Sequence, residues 1–113
     1  MSETIFSKII RGEVPANIVY EDDLCLAFHD VAPQAPTHVL IIPKEPIVSL
    51  ADLQAKHQSL AGHMVLKAGE IAEQLGLQDG YRLVTNCGSN GGQSVPHLHF
   101  HLLGGRPLAW PPG

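Results

Sequence analysis

The residues best suited to chemistry are three histidines spaced two apart near the C-terminus: His97, His99 and His101. Side chains alternate across a β-strand, so positions i, i+2 and i+4 share one face. The residues between the histidines are all apolar and would face a core: Leu98, Phe100 and Leu102. The pattern therefore predicts a final strand over His97–Leu103 that has one face made of imidazole.

Two kinds of chemistry use a row of imidazoles. Three histidines and a water form a known catalytic Zn²⁺ site. However, the Cα atoms of His97 and His101 would be roughly 13 Å apart on a flat strand, so these two residues would not easily share one ion. The other chemistry is phosphoryl transfer, in which one imidazole attacks phosphorus and its neighbours orient it or hold the oxygens.

The loop before the strand favours phosphoryl transfer. Gly88–Ser94 is rich in glycine and small polar residues, and a curl of backbone N–H groups of this kind can cradle a phosphate. Gln93 and Ser94 add side-chain donors. Near its ordinary pKa of about 6.5, an imidazole is largely neutral at cell pH and can attack, while an adjacent His or Ser relays a proton to the leaving amine. This scheme requires no metal and no cofactor.

The elements that must position these groups follow from periodicity and turn residues. A short helix is predicted over Thr4–Ile10, and a long one from an N-cap at Ser49 to Leu75. The predicted strands are Ile18–Tyr20, Leu24–Phe28, His38–Ile42, Tyr81–Thr85 and His97–Leu103. The expected fold class is α+β, with about five mostly antiparallel strands in one helix-covered sheet.

Composition limits the class of protein. The chain has 113 residues, 44% of them hydrophobic and 16% charged, which predicts a single globular domain over residues 1–113. The net charge is −4 with no basic run, which argues against nucleic acid as a partner. The N-terminus resembles neither a signal peptide nor a membrane span, and Cys25 and Cys87 are expected to be reduced thiols. A cytoplasmic protein without a membrane partner is expected.

The stretch from Gln93 to Leu103 fits the His-φ-His-φ-His-φ-φ signature, where φ is apolar, of the histidine triad (HIT) superfamily. The wider sequence resembles the histidine triad nucleotide-binding (Hint) branch from about Ile5 to the last residue. The further matching segments are Phe28–Asp30, Pro33–His38, Ile42–Lys44, Gly104–Arg106 and Trp110–Gly113. The resemblance implies the HIT-like fold and a homodimer with a continuous sheet, in which the Trp110 tail lies near the partner's site.

The resemblance also implies an activity: hydrolysis of the P–N bond of purine nucleoside 5′-phosphoramidates, and of acyl-nucleotides, through a nucleotidyl-histidine. His99 would be the nucleophile, His101 would contact the phosphate and assist proton transfer, and His97 and His38 would orient them. The catalytic set so implied is His99, His101, His97, Ser94 and His38. The implied set for an AMP- or GMP-type nucleotide is Phe6, Ile9, Phe28, Asp30, Val31, Asn86, Gly92, Gln93, Ser94, His99 and His101.

Two alternative functions stay open: a dinucleoside polyphosphate hydrolase, and a non-enzymatic adaptor that binds a nucleotide or zinc. His57 and His63, on the long helix, are expected to be structural or solvated, and His29 is expected outside the site. Pro46 stands where relatives often carry a further histidine, so a fifth histidine near the site is not expected.

Overall fold

A computed structural model describes residues 3–113. The chain forms one five-stranded sheet with strand order β1-β2-β3-β5-β4, and every neighbouring pair is antiparallel. The strands are β1 (Ile18–Glu21), β2 (Cys25–His29), β3 (Thr37–Pro43), β4 (Tyr81–Thr85) and β5 (Phe100–Gly104). The helices are α1 (Ile5–Ile10) and α2 (Gln58–Gln74). The predicted α+β class with one long and one short helix is confirmed.

Helix α1 begins at a capping box. The Thr4 hydroxyl accepts from the Ser7 N–H at 3.2 Å, and the Ser7 hydroxyl accepts from the Thr4 N–H at 3.3 Å. The helix ends before Gly12, whose φ of 76° is left-handed and suits glycine because it has no Cβ.

Strands β2 and β3 are buried on both faces, which explains their nearly continuous apolar sequences. On one face, Cys25, Ala27, Val39 and Ile41 pack with α2 in the larger core cluster. On the other face, Leu26, Phe28, Leu40 and Ile42 pack with Phe6 of α1. The two helices therefore cover opposite faces of the sheet, and α1 covers the face that carries the site.

The predicted start of the long helix at Ser49 is wrong. Two short 3₁₀ turns, Leu50–Asp52 and Ala55–His57, precede α2. The Ser49 hydroxyl donates to the Asp52 carboxylate at 2.8 Å instead of capping a backbone N–H. Leu53 then has ψ of 138°, an extended conformation that interrupts helical hydrogen bonding.

The predicted start of the last strand is also wrong, because ladder pairing begins at Phe100 and not at His97. The Leu98 N–H donates to the carbonyl of Ile47 at 2.7 Å, outside the sheet. The alternation of side chains nevertheless persists, since Leu98, Phe100 and Leu102 all lie in the α2-side core. Within residues 3–113, no helix is long and apolar enough to cross a membrane.

Candidate active site

The three histidines lie on the α1 side of the sheet, opposite the larger core. Phe6 of α1 packs edge-on against two of them, with ring centroids 5.0 Å from His99 and 6.0 Å from His97. The His99 and His101 rings are also neighbours, with centroids 5.0 Å apart. His101 belongs to β5, whereas His97 and His99 lie in the irregular segment before it.

His97 is buried, and its side chain ties this segment to the end of β3. Its side chain is 2% exposed, and its Nε2 lies 2.9 Å from the carbonyl oxygen of Pro43 at the end of β3. A carbonyl oxygen can only accept, so His97 Nε2 carries the hydrogen. Burial lowers the pKa of His97, which keeps the ring neutral.

His99 has one ring nitrogen fixed and the other free. Its Nδ1 lies 2.7 Å from the backbone carbonyl oxygen of His97, so Nδ1 carries the hydrogen and Nε2 keeps its lone pair when the ring is neutral. The carbonyl of His99 accepts from the Thr85 hydroxyl at 2.9 Å. These two bonds hold a nucleophilic nitrogen in one orientation, and the ring is only 4% exposed.

His101 has the opposite tautomer, which a chain of hydrogen bonds specifies. The backbone N–H of Gln34 donates to His38 Nδ1 at 3.0 Å, so the hydrogen of neutral His38 is on Nε2. His38 Nε2 lies 2.8 Å from His101 Nδ1, which therefore accepts. The remaining hydrogen of neutral His101 is on Nε2.

Burial keeps this pair neutral at physiological pH. Burial, followed by the charges of His99 and His38, lowers the pKa of His101 to about 4. Burial also lowers the pKa of His38, although Asp30 opposes the shift. The Asp30 carboxylate oxygen Oδ2 lies 3.4 Å from His38 Nε2.

A cavity of about 430 Å³ opens beside these rings. Its polar lining is His29, Asp30, Ser94, His99 and His101, and its apolar lining is Ile5, Phe6, Ile9, Val14, Pro15, Ala16, Phe28, Val31, Leu40 and Val95. Phe6 and Phe28 form an edge-to-face pair with centroids 5.8 Å apart. One wall is therefore aromatic and apolar, and His99 lies directly against its Phe6 ring.

Seven lining residues are absent from the predicted site: Ile5, Val14, Pro15, Ala16, His29, Leu40 and Val95. The expectation that His29 lies outside the site is corrected, because its half-buried ring lines the cavity. Leu40 had a sequence signal, since it lies two residues from His38 on the same strand face. Residues 14–16 had none, because the path of the loop after α1 brings them there.

The glycine-rich loop is held by its own side chains. Asn86 Nδ2 donates to the carbonyl of Gly91 at 2.7 Å. Gln93 Oε1 accepts from the Gly88 N–H at 3.0 Å, and Gln93 Nε2 donates to the carbonyls of Val48 and Val95. Asn86, Gly92 and Gln93 do not line the cavity, so a direct contact of theirs with phosphate stays a prediction. Ser94 is exposed at its edge.

Among residues 3–113, one group of side chains near this site could hold a metal ion. Ligand atoms of Asp30, His38 and His101 lie within 4.8 Å of one another. The triad itself does not converge on a single point, because the Nε2 of His97 faces Pro43. A larger groove of about 670 Å³ is lined by ten described residues between 76 and 108, none of them a histidine.

Comparisons with known proteins identify the family of the chain. A model of the HIT domain family matches residues 11–108. An uncharacterized HIT-like protein from Synechococcus elongatus is 67% identical over 100% of both chains. The purine nucleoside phosphoramidase of Escherichia coli strain K12 is 58% identical, over 94% of this chain and 90% of that protein.

Solved structures give the same result. A HIT family hydrolase from Legionella pneumophila is 49% identical with a TM-score of 0.96, covering 98% of this chain and 100% of that one. A histidine triad protein from Clostridium difficile is 44% identical with a TM-score of 0.91, covering 96% and 97%. The resemblance found in the histidine motif is confirmed, and the chain belongs to the HIT domain family.

Proposed function

We propose that this protein hydrolyses the P–N bond of purine nucleoside 5′-phosphoramidates, and also acyl-nucleotides, through a nucleotidyl intermediate on His99. One observation carries the proposal: the hydrogen bonds of two adjacent rings give their neutral forms opposite tautomers, with the lone pair on His99 Nε2 and the hydrogen on His101 Nε2, and both residues line the same cavity. A nucleophile and a proton donor side by side are the groups that this displacement needs. The 58% identity to a purine nucleoside phosphoramidase supports the substrate class.

In the first step, His99 Nε2 attacks phosphorus and the P–N bond breaks. The bound anion favours the imidazolium form of His101 and so raises the pKa of this residue from its lowered value. The Nδ1–H of the imidazolium would then donate to His38 Nε2, so His38 would carry its own hydrogen on Nδ1 and give up the bond from the Gln34 N–H. His101 then gives its Nε2 proton to the departing amine. The Nδ1–H of His99, bonded to the carbonyl of His97, stabilises the positive charge that forms on the attacking ring.

In the second step, water attacks phosphorus and the bond from phosphorus to His99 Nε2 breaks. His101 takes the proton of the attacking water, which restores its imidazolium form. The products are the nucleoside 5′-monophosphate and the amine, and both histidines return to their starting states. The exposed Ser94 hydroxyl lies at the cavity edge, where it would hydrogen-bond to the leaving nitrogen.

The remaining lining accommodates the nucleoside. Phe6, Ile9 and Phe28 form an apolar slot for a flat base. Asp30 Oδ1 accepts from the Ala32 N–H at 2.9 Å, which orients the carboxylate to accept from both ribose hydroxyls. Val31 is 99% exposed and would pack against the sugar. We expect the glycine-rich loop to bind the phosphate through Ser94, because the N–H groups of Gly92 and Gln93 already donate to the carbonyls of Ser89 and Gly88, at 3.1 and 3.0 Å.

The functional unit is expected to be a homodimer with a continuous sheet. Strand β4 is an edge of the sheet, and an unpaired edge is a template for another strand. Arg82 of β4 anchors the tail by donating to the carbonyls of Leu108 and Ala109, and Trp110 beyond it is 81% exposed. We expect this tail to lie near the partner's site. The two free cysteines, Cys25 and Cys87, fit a reducing compartment such as the cytoplasm.

The test is a trapping experiment with an adenosine 5′-phosphoramidate. Quenched wild-type enzyme should carry a nucleotidyl group on the peptide containing His99, detected by mass spectrometry. His99→Ala should lose the adduct and turnover but keep nucleotide binding, whereas the control His63→Ala should keep both. Unchanged turnover in His99→Ala would overturn the proposal. If a diadenosine polyphosphate were turned over faster than the phosphoramidate, the protein would instead be a dinucleoside polyphosphate hydrolase. If the wild-type protein bound the nucleotide but turned over neither substrate, it would be a non-enzymatic adaptor.

A further inference from the structure

A second group of metal-binding side chains lies away from the triad, at the turn between β1 and β2. Ligand atoms of Asp22, Cys25 and His63 all lie within 4.8 Å of one another. They come from three parts of the fold: the turn, the first residue of β2 and helix α2. We propose that this group, called here the turn site, binds a divalent transition-metal ion with the preferences of Zn²⁺.

The spacing of the three ligand atoms is close to what one ion requires. With Zn–S near 2.3 Å and Zn–N near 2.0 Å, tetrahedral ligand atoms are about 3.5 Å apart. His63 Nε2 and Asp22 Oδ2 are now 2.6 Å apart, so they must separate by about 1 Å to admit an ion. Their side chains are 27% and 24% exposed, which leaves room for this movement and for a water as fourth ligand.

Hydrogen bonds fix the orientation of the Asp22 carboxylate, as a metal ligand requires. Its Oδ1 accepts from the N–H groups of Leu24 and Cys25, at 2.8 and 2.9 Å, and its Oδ2 accepts from the Tyr20 hydroxyl at 2.6 Å. Burial opposes ionisation, but these hydrogen bonds keep the pKa of Asp22 well below its ordinary value. Outer partners of this kind orient a metal ligand and strengthen binding.

The nearby lysines form their ion pairs with other carboxylates, although the charge of Asp22 also acts on Lys44. Lys67 pairs with Glu70 at 3.1 Å, and Lys44 pairs with Glu21 at 2.8 Å. Burial, followed by the negative charge of Asp22, raises the pKa of the Cys25 thiol to about 12. A bound ion reverses this effect, because a coordinating thiol is deprotonated. Binding one ion therefore releases the thiol proton, and affinity should rise with pH.

The test uses Co²⁺ as a spectroscopic probe on the whole reduced protein. We expect one Co²⁺ per chain, with the near-ultraviolet charge-transfer absorption of a cobalt–thiolate bond, and displacement by Zn²⁺. Cys25→Ser should abolish this absorption, and the matched control Cys87→Ser should keep it. His63→Gln should weaken Co²⁺ binding at least about tenfold. No thiolate absorption in wild type, or absorption that survives Cys25→Ser, would overturn the proposal.

Two further readouts separate the turn site from the triad. His63→Gln should leave turnover unchanged, because the turn site is far from the catalytic cavity. Asp30, at the cavity, lies five residues beyond Cys25 of the turn site, about 17 Å away along an extended chain. This variant also changes a partly exposed side chain, so it tests the turn site even if Cys25→Ser folds poorly. Co²⁺ binding that lacks thiolate absorption and disappears in His101→Gln would place the ion on Asp30, His38 and His101, and would overturn the proposal.

Discussion

Gly91→Ala should impair catalysis through the shape of the glycine-rich loop. A Cβ at position 91 would lie 2.3 Å from the carbonyl oxygen of Cys87 and 2.9 Å from its nitrogen, whereas ordinary contacts begin at 3.4 Å. Both contacts are to backbone, so no side-chain rotation can relieve them. The two sides of the loop must therefore separate by about 1 Å.

The size of the effect follows from what the loop positions. The separation would stretch the bond from Asn86 to the carbonyl of Gly91, now 2.7 Å, and shift Ser94 relative to His99. A displacement of about 1 Å can cost about 10²-fold in rate, which is about 2.7 kcal/mol in the activation barrier. We therefore expect kcat/KM for an adenosine phosphoramidate to fall about 100-fold, with a loss of about 1–3 kcal/mol in the free energy of unfolding.

The matched control is Gly62→Ala in helix α2. A Cβ at position 62 would meet no atom within 4 Å, and alanine is the better helix former by about 1 kcal/mol. Gly62→Ala should therefore be more stable in urea unfolding and should turn over normally. If Gly91→Ala kept kcat/KM within threefold of wild type, the argument that the loop's shape positions the phosphate site would be refuted.

Three further results are expected. Thr4→Ala should remove the capping box of α1 and cost about 1 kcal/mol of stability. It should also raise KM more than it lowers kcat, because α1 carries the Phe6 wall of the cavity. An equal change in KM and kcat would contradict this. His57→Ala should cost about 2 kcal/mol in urea unfolding, because the buried ring bridges the Gln54 N–H and the Glu45 carboxylate; an unchanged midpoint would refute the bridge. The pKa of His101 is about 4 in the folded state and about 6.5 in the unfolded state. Between these two pH values the unfolded state therefore binds more protons than the folded state. Stability should fall as pH drops from 6.5 towards 4, by up to about 1.4 kcal/mol per pH unit. His101→Gln should flatten that slope, and parallel slopes would refute the lowered pKa.

The parts of the fold that sequence predicts well are those fixed by local periodicity. The apolar residues of β2 and β3 face opposite cores in alternation, and the α1 cap uses residues three apart. Contacts between distant segments carry no such signal. His57, the residue before α2, pairs with Glu45 twelve positions away. A local contact can also replace the expected cap, since the Ser49 hydroxyl bonds to the Asp52 carboxylate and not to a backbone N–H.

The same distinction applies to the site. Its chemical groups could be predicted because the histidine spacing and the glycine-rich loop are contiguous in sequence. The walls of the cavity could be predicted only in part: the family resemblance implies Phe6, Ile9, Phe28, Asp30 and Val31, which do line it, but residues 14–16 of the loop after α1 have no signal in the sequence. The expected phosphate contacts of Asn86 and Gln93 depend on the side-chain directions, and in the structure both side chains bind backbone groups, those of the loop and, for Gln93, also the carbonyl of Val48.

The incorrectly predicted start of β5 bears directly on the chemistry. In a regular strand the carbonyl of His97 could be bonded to a neighbouring strand. Because ladder pairing begins at Phe100, this carbonyl instead accepts from the Nδ1 of His99. That bond leaves the lone pair on Nε2, and the irregular backbone lets the Leu98 N–H anchor the segment to Ile47. The departure from strand pairing is therefore what assigns His99 the nucleophilic tautomer, while His101, within the ladder, takes its tautomer from His38.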